Sequence, residues 1–112
     1  MNLFIDTTQP ELAIVRIIMD SMTDEIAEPM PRGSAQKLLS VIEQLLQKHQ
    51  IHLRQLTAIE VNTGPGSFTG TRVGVSVANT LGFALQIPVN NAPVGQVVQP
   101  IYGQPPNITV KK

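Results

Sequence analysis

The stretch "NTGPGSFTGTRVGV", Asn62 to Val75, constrains the fold of this 112-residue chain more than any other. It holds Gly64, Gly66 and Gly70, follows the strand-like run "LTAIEV" and leads into the apolar segment "TRVGVSVANTLGFALQ". A strand, a glycine loop and a helix in that order are typical of α/β sheets, which place ligands at such turns. The stretch therefore predicts an α/β fold with a candidate site at the loop.

The rest of the chain predicts four more strands and one more helix. The strands are "NLFID", "ELAIVRII", "EIAEPM" and "IPVNN", and Pro29 and Pro31 confine the third of them to a sheet edge. Leucine and isoleucine at three- and four-residue spacing predict an amphipathic helix over Ser34–His49. A second helix is expected over Thr71–Gln86. The order β-β-β-α-β-α-β indicates a mixed five-stranded sheet whose strands 2 and 3 form a hairpin beside a parallel set.

Composition excludes several classes of function. Eight basic and eight acidic residues give zero net charge, which argues against nucleic-acid binding by the chain alone. Without cysteine, the chain has neither disulfides nor a thiolate metal site. The N-terminus lacks a basic segment, and no apolar run approaches the roughly 20 residues of a membrane span. We therefore expect a cytoplasmic protein. The low charged fraction of 14% suggests that a partner covers one face.

The glycine loop fails the spacing of three catalytic motifs. No lysine stands where a Walker A loop needs one, and the three glycines are one residue too widely spaced for the dinucleotide fingerprint. Ser67 lacks the flanking glycines of a nucleophile elbow. His49 and His52 lie at the end of the first helix and are interpreted as solvated. On the loop alone two alternatives remain: an anion cradle built from backbone N–H groups, or a tight turn capped by Ser67 or Thr69.

Small residues recur at every fourth position of the second helix. They are Gly70, Gly74, Ala78 and Gly82. Each glycine costs about 1 kcal/mol of helix propensity relative to alanine, so the row requires a compensating gain, such as the close approach of another backbone. From spacing alone, the partner is either the helix over Ser34–His49 or a helix of another chain.

The segment "GPGSFTGTRVGVSVANTLGFALQIPV" closely resembles the signature of the TsaB (YeaZ) family, accessory subunits in the synthesis of N6-threonylcarbamoyladenosine (t6A) at position 37 of tRNA. "LFIDTT" is similar to the opening strand and turn of that family, and "QPIYGQPPNIT" to its C-terminal end. Family members have two lobes. The resemblance implies one actin-like (Hsp70-like, ribonuclease-H-like) lobe at residues 1–96, with strand order 3-2-1-4-5. It also implies an extended tail at residues 97–112 docked on that lobe. Because the chain resembles only the first lobe and the C-terminal end of the family, we expect the second lobe to be absent.

The resemblance implies a non-catalytic scaffold that binds a TsaD-like catalytic paralogue through its two helices and homodimerises when alone. A TsaE-like ATPase is a further candidate partner, and tRNA is reached only through the complex. No metal site, cofactor or catalytic residue is expected, and the peptidase label sometimes given to the family is rejected for this chain. The expected interface residues are Leu38, Ile42, Leu45, Gly70, Arg72, Gly74, Ala78 and Gly82.

The alternative is a nucleotide-binding protein or weak ATPase of the actin-like superfamily. Its candidate phosphate contacts are Asp6, Thr7, Thr8, Gly64, Gly66 and Ser67. Nucleotide in that fold lies between two lobes, so ATP and magnesium are expected only in the complex with the partner. An aspartate at the end of a first strand also has a simpler interpretation, in which it caps the turn that follows.

Overall fold

The computed structural model describes residues 1–31 and 34–101. Four strands and two helices make up a mixed α/β fold. In chain order they are β1 (Asn2–Asp6), β2 (Leu12–Ile18), β3 (Thr23–Pro29), α1 (Ala35–Lys48), β4 (Ala58–Val61) and α2 (Phe68–Leu85), with a 3-10 turn at Leu53–Gln55 before β4.

The four strands form one sheet in the order β3-β2-β1-β4. β2 pairs antiparallel with β1 and β3, whereas β1 and β4 are parallel, which confirms the hairpin and the position of β3 at an edge. Burial alternates along β1 and β2, as expected for strands with one covered face. Both helices pack on that face, where they bury Leu3, Ile5, Val15 and Ile59 completely.

Both helices begin at the serines that the sequence offers as caps. Ser34 precedes α1 and its hydroxyl accepts a hydrogen bond from the N–H of Lys37, at 3.2 Å. Ser67 precedes α2 and accepts one from the N–H of Gly70, at 3.3 Å. Such caps satisfy N–H groups that the first helical turn leaves without a partner. Thr69, the other candidate cap, lies inside α2.

The prediction of a fifth strand is wrong. Within the described residues, the segment "IPVNN" makes a single parallel bridge between Ile59 and Val89 instead of a strand. Pro88 has no N–H to donate, and Asn90 has a left-handed backbone with φ of 52°, so extended pairing stops at once. The side-chain amide of Asn90 replaces the missing backbone pair. It accepts from the N–H of Val61 at 2.8 Å and donates to its C=O at 3.0 Å.

Within the described ranges, no helix is both long and apolar enough to cross a membrane. The chain beyond α2 runs back along this helix as far as Ile101, whose N–H donates to the C=O of Thr63 at 2.6 Å. The remainder of the expected tail, residues 102–112, lies outside the described residues.

Candidate functional site

Asp6, at the end of β1, caps the turn that follows it. Its Oδ1 accepts hydrogen bonds from the N–H of Thr8 at 2.9 Å and the hydroxyl of Thr8 at 2.7 Å. Its Oδ2 accepts from the side-chain amide of Asn62 at 3.2 Å. Partial burial alone would raise the pKa of Asp6, but these hydrogen bonds outweigh it and hold the pKa below its ordinary value. Both carboxylate oxygens of Asp6 therefore already have partners within the chain.

The N–H groups of the glycine loop point largely into the protein itself. The N–H of Gly64 donates to the side-chain oxygen of Asn62 at 3.1 Å, and that of Ser67 donates to the C=O of Thr8 at 2.6 Å. The backbone of Gly66 lies directly against Thr8, and that of Gly64 against the C=O of Ile101. Because these donors and surfaces are occupied, the geometry favours a tight capped turn over an anion cradle.

Thr7 explains two of the glycines in α2. Its side chain is fully buried and its hydroxyl donates to the C=O of Gly70 at 2.6 Å. A Cβ on Gly70 would strike the Thr7 carbonyl oxygen, and one on Gly74 would strike the Thr7 hydroxyl. The close approach that the glycine row predicts is therefore real, but it occurs between α2 and the end of β1.

The structure buries most of the residues expected at the partner interface. Seven of its eight residues are buried inside the lobe: Leu38, Ile42, Leu45, Gly70, Gly74, Ala78 and Gly82. A Cβ on Gly82 would strike the side chain of Val89, so this end of the row also packs against the chain itself. Arg72 is exposed, and its guanidinium lies 5.4 Å from the centre of the Phe68 ring. Of the seven, Ile42 also borders a groove at the outer surface of the helices.

An apolar groove lies on the outer side of the two helices, which we call the helix groove. Its volume is about 450 Å³. It is lined by Leu39, Ile42, Glu43, Leu46, Gln47, Ile51, His52, Leu53 and Leu81. Leu39 and Leu53 are 46% and 37% exposed, although both are large and apolar. Sequence reasoning named Ile42 among the expected interface residues, but not Leu39, Leu53 or Leu81.

The comparisons with known proteins agree with one another. A family model described as TsaD, tRNA N6-adenosine threonylcarbamoyltransferase, matches residues 26–93, more than half of the chain. The tRNA threonylcarbamoyladenosine biosynthesis protein TsaB of Bacillus subtilis (strain 168) is 32% identical over 79% of this chain and 38% of that protein. The solved structure of YeaZ from Pseudomonas aeruginosa is 35% identical with a TM-score of 0.72, over 79% of this chain and 42% of that one. The chain belongs to the TsaB (YeaZ) family.

The resemblance based on the motif from Gly64 to Val89 is thereby confirmed. Similarity extends to the transferase itself, since tRNA N6-adenosine threonylcarbamoyltransferase of Nitrosospira multiformis (strain ATCC 25196) is 41% identical over 57% of this chain and 18% of that protein. This TsaB-family chain spans about two fifths of the length of the Bacillus and Pseudomonas relatives. The activities and partners of those longer proteins therefore come to it only as proposals.

Proposed function

We propose that this TsaB-family protein acts in t6A modification of tRNA as a non-catalytic subunit that binds a TsaD-like catalytic protein. The observation that carries the proposal is the helix groove, because it exposes apolar side chains on a folded lobe. Such an exposed patch is typical of an interaction site. The relatives named for threonylcarbamoyladenosine biosynthesis supply the pathway, and the transferase relative supplies the kind of partner.

The shape and chemistry of the groove suit an α-helix of the partner. Leucine and isoleucine side chains line its floor, while Glu43, Gln47 and His52 provide a polar rim. A helix with apolar residues at three- and four-residue spacing would bury Leu39 and Leu53, and water would remain at the rim. The zero net charge is consistent with a protein partner and with tRNA reached only through the complex.

We do not extend the proposal to nucleotide binding by this chain alone. Asp6, Thr8 and the loop from Gly64 to Ser67 are held by hydrogen bonds and contacts within the chain. We propose that ATP and magnesium bind, and that a TsaE-like ATPase takes part, only in the assembled complex. We also propose that the lobe is actin-like.

The test is capture of a TsaD-like protein by this chain, measured as an affinity. Leu39→Glu places a charge among the apolar side chains that line the helix groove, and burying that charge without a partner is costly. We expect the affinity to fall at least about tenfold. Gln44→Glu makes the same charge on an exposed position of α1 that does not line the groove, and should leave the affinity unchanged. Equal affinities for both variants would refute this placement of the interface.

A further inference from the structure

The segment at residues 97–101, which we call the strap, is held to α2 by the side-chain amide of Asn79. The amide oxygen of Asn79 accepts from the N–H of Val98 at 2.9 Å, and its nitrogen donates to the C=O of Val98 at 2.9 Å. A second attachment joins the N–H of Ile101 to the C=O of Thr63 at 2.6 Å. These contacts recognise an extended backbone, much as a neighbouring strand would.

The side chains of the strap contribute less to its attachment than its backbone does. Val97 and Ile101 are 62% and 56% exposed, and Val98 alone among the apolar strap residues packs against the core. Open surface depressions of about 280 and 270 Å³ border Asn79 and the strap. The strap therefore rests on hydrogen bonds and one apolar side chain.

The residues before the strap adopt turn conformations. Asn90 and Asn91 have left-handed backbones, and Gly95 has φ of 89° with open space where a side chain would be. The N–H of Gln96 donates to the C=O of Pro93 at 3.0 Å. Because few hydrogen bonds hold this connection, the strap can leave Asn79 without breaking the pairing of the sheet, although the contact between Val98 and the core is lost.

We propose that the groove along α2 at Asn79, which reaches as far as the C=O of Thr63, is a binding site for an extended peptide, which the strap occupies as an intramolecular ligand. A segment from a partner protein binds there by displacing the strap. Asn79 is the residue that recognises the peptide backbone, and Thr63 accepts the second hydrogen bond. The site lies on the side of α2 that faces the strap, whereas the helix groove lies where α2 meets α1.

The strap itself defines the chemistry of the ligand. The peptide is extended, presents a free N–H and C=O at one residue, and carries a β-branched apolar side chain there, as Val98 does. It needs no charge, since the strap from Val97 to Ile101 has none. A tethered ligand competes at an effective concentration in the millimolar range for a short linker, so a free peptide binds the intact chain weakly.

The test uses the full chain labelled with ¹⁵N and the capped peptide acetyl-VVQPI-amide, which copies the strap. Val98→Pro removes the N–H that Asn79 holds and so releases the strap while leaving the groove intact. We expect this variant to bind the peptide at least about tenfold more tightly than the wild type, with shifts at the side-chain amide of Asn79. The peptide acetyl-VPQPI-amide, which lacks the N–H, should not bind.

Asn79→Ala removes the side chain that we expect to bind both the strap and the peptide. We expect the amide of Val98 to lose its protection from hydrogen exchange in this variant, and the peptide not to bind. Gln99→Ala changes an exposed strap residue and should behave as the wild type. Equal peptide affinities for wild type and Val98→Pro, peptide binding by Asn79→Ala, or a protected Val98 amide in Asn79→Ala would each overturn the proposal. The exchange measurement decides the matter even if Val98→Pro fails to fold.

Discussion

At the scale of single residues, two buried threonines, Thr7 and Thr71, differ in whether their hydroxyl groups have a hydrogen-bond partner. Both are fully buried, but the hydroxyl of Thr7 donates to the C=O of Gly70, whereas that of Thr71 has no hydrogen-bond partner within the described residues. A buried polar group without a partner costs about 1–3 kcal/mol, and a typical hydrogen bond contributes about 1 kcal/mol. We therefore expect Thr71→Val to be neutral or stabilising and Thr7→Val to be destabilising by about 1 kcal/mol.

Urea denaturation of the two variants measures this difference as a shift in midpoint at constant slope. Valine has nearly the shape of threonine, so each substitution removes a hydroxyl and leaves the packing close to unchanged. If Thr71→Val lost as much stability as Thr7→Val, the hydroxyl of Thr71 would have a partner that the described contacts lack.

Some residue roles follow from sequence because they are local. The caps at Ser34 and Ser67, and the capping of the first turn by Asp6, depend on neighbours within three positions. The direction of the glycine row does not. A row of small residues has the same spacing whether it faces another chain or its own sheet, and the contact between Gly74 and Thr7 spans 67 positions. Only the folded structure shows that the glycine row of α2 faces the chain's own sheet.

At the scale of elements, Asp24 joins the edge strand to the end of α1. Its Oδ2 lies 2.8 Å from Nζ of Lys48 and 2.7 Å from Nε2 of His49, and its Oδ1 accepts from the N–H of Glu25. Lys48, then His49 and the N–H of Glu25, hold the pKa of Asp24 well below its usual range. A carboxyl whose pKa is depressed by folding adds stability above its ordinary pKa, near 3.9, and loses it as pH falls further.

We therefore expect Asp24→Asn to lower the urea midpoint at pH 6 and to have a shrinking effect below about pH 4. The measurement is the midpoint of both proteins across that range. Asp20→Asn, at an exposed position in the hairpin turn, provides the control and should follow the wild type. A difference between Asp24→Asn and wild type that stayed constant down to pH 2 would show that the carboxylate charge is not the cause.

The elements themselves were mostly predictable, and the exception has a physical cause. Periodicity placed α1, and segment length placed α2, within three residues of their observed starts, and short apolar or β-branched runs indicated the first four strands. The segment "IPVNN" has the composition of a strand, but Pro88 and the left-handed Asn90 end its pairing. A side-chain amide then completes the edge of β4. This replacement of backbone pairing by a side-chain amide depends on a contact across 29 positions, which composition does not reveal.

At the scale of the whole molecule, the two proposed binding sites lie on different sides of α2. The helix groove lies where α1 and α2 meet, and the strap lies along the other side of α2. The low charged fraction suggested a covered face, and we propose that the exposed Leu39 and Leu53 belong to that face. Seven of the eight interface residues expected from the sequence are buried, because the most apolar and smallest residues are the ones that the lobe uses for its own core.

The helix groove also predicts the behaviour of the chain in isolation. Two copies of the chain can bring the same apolar face together about a two-fold axis, so we expect a homodimer whose fraction rises with protein concentration in sedimentation velocity. Leu39→Glu should make the chain monomeric, and Gln44→Glu should not. Since one groove cannot hold two occupants, adding a TsaD-like partner should convert the dimer into a complex with one copy of each protein. A dimer that persists in Leu39→Glu, or that binds the partner without dissociating, would place self-association on another surface.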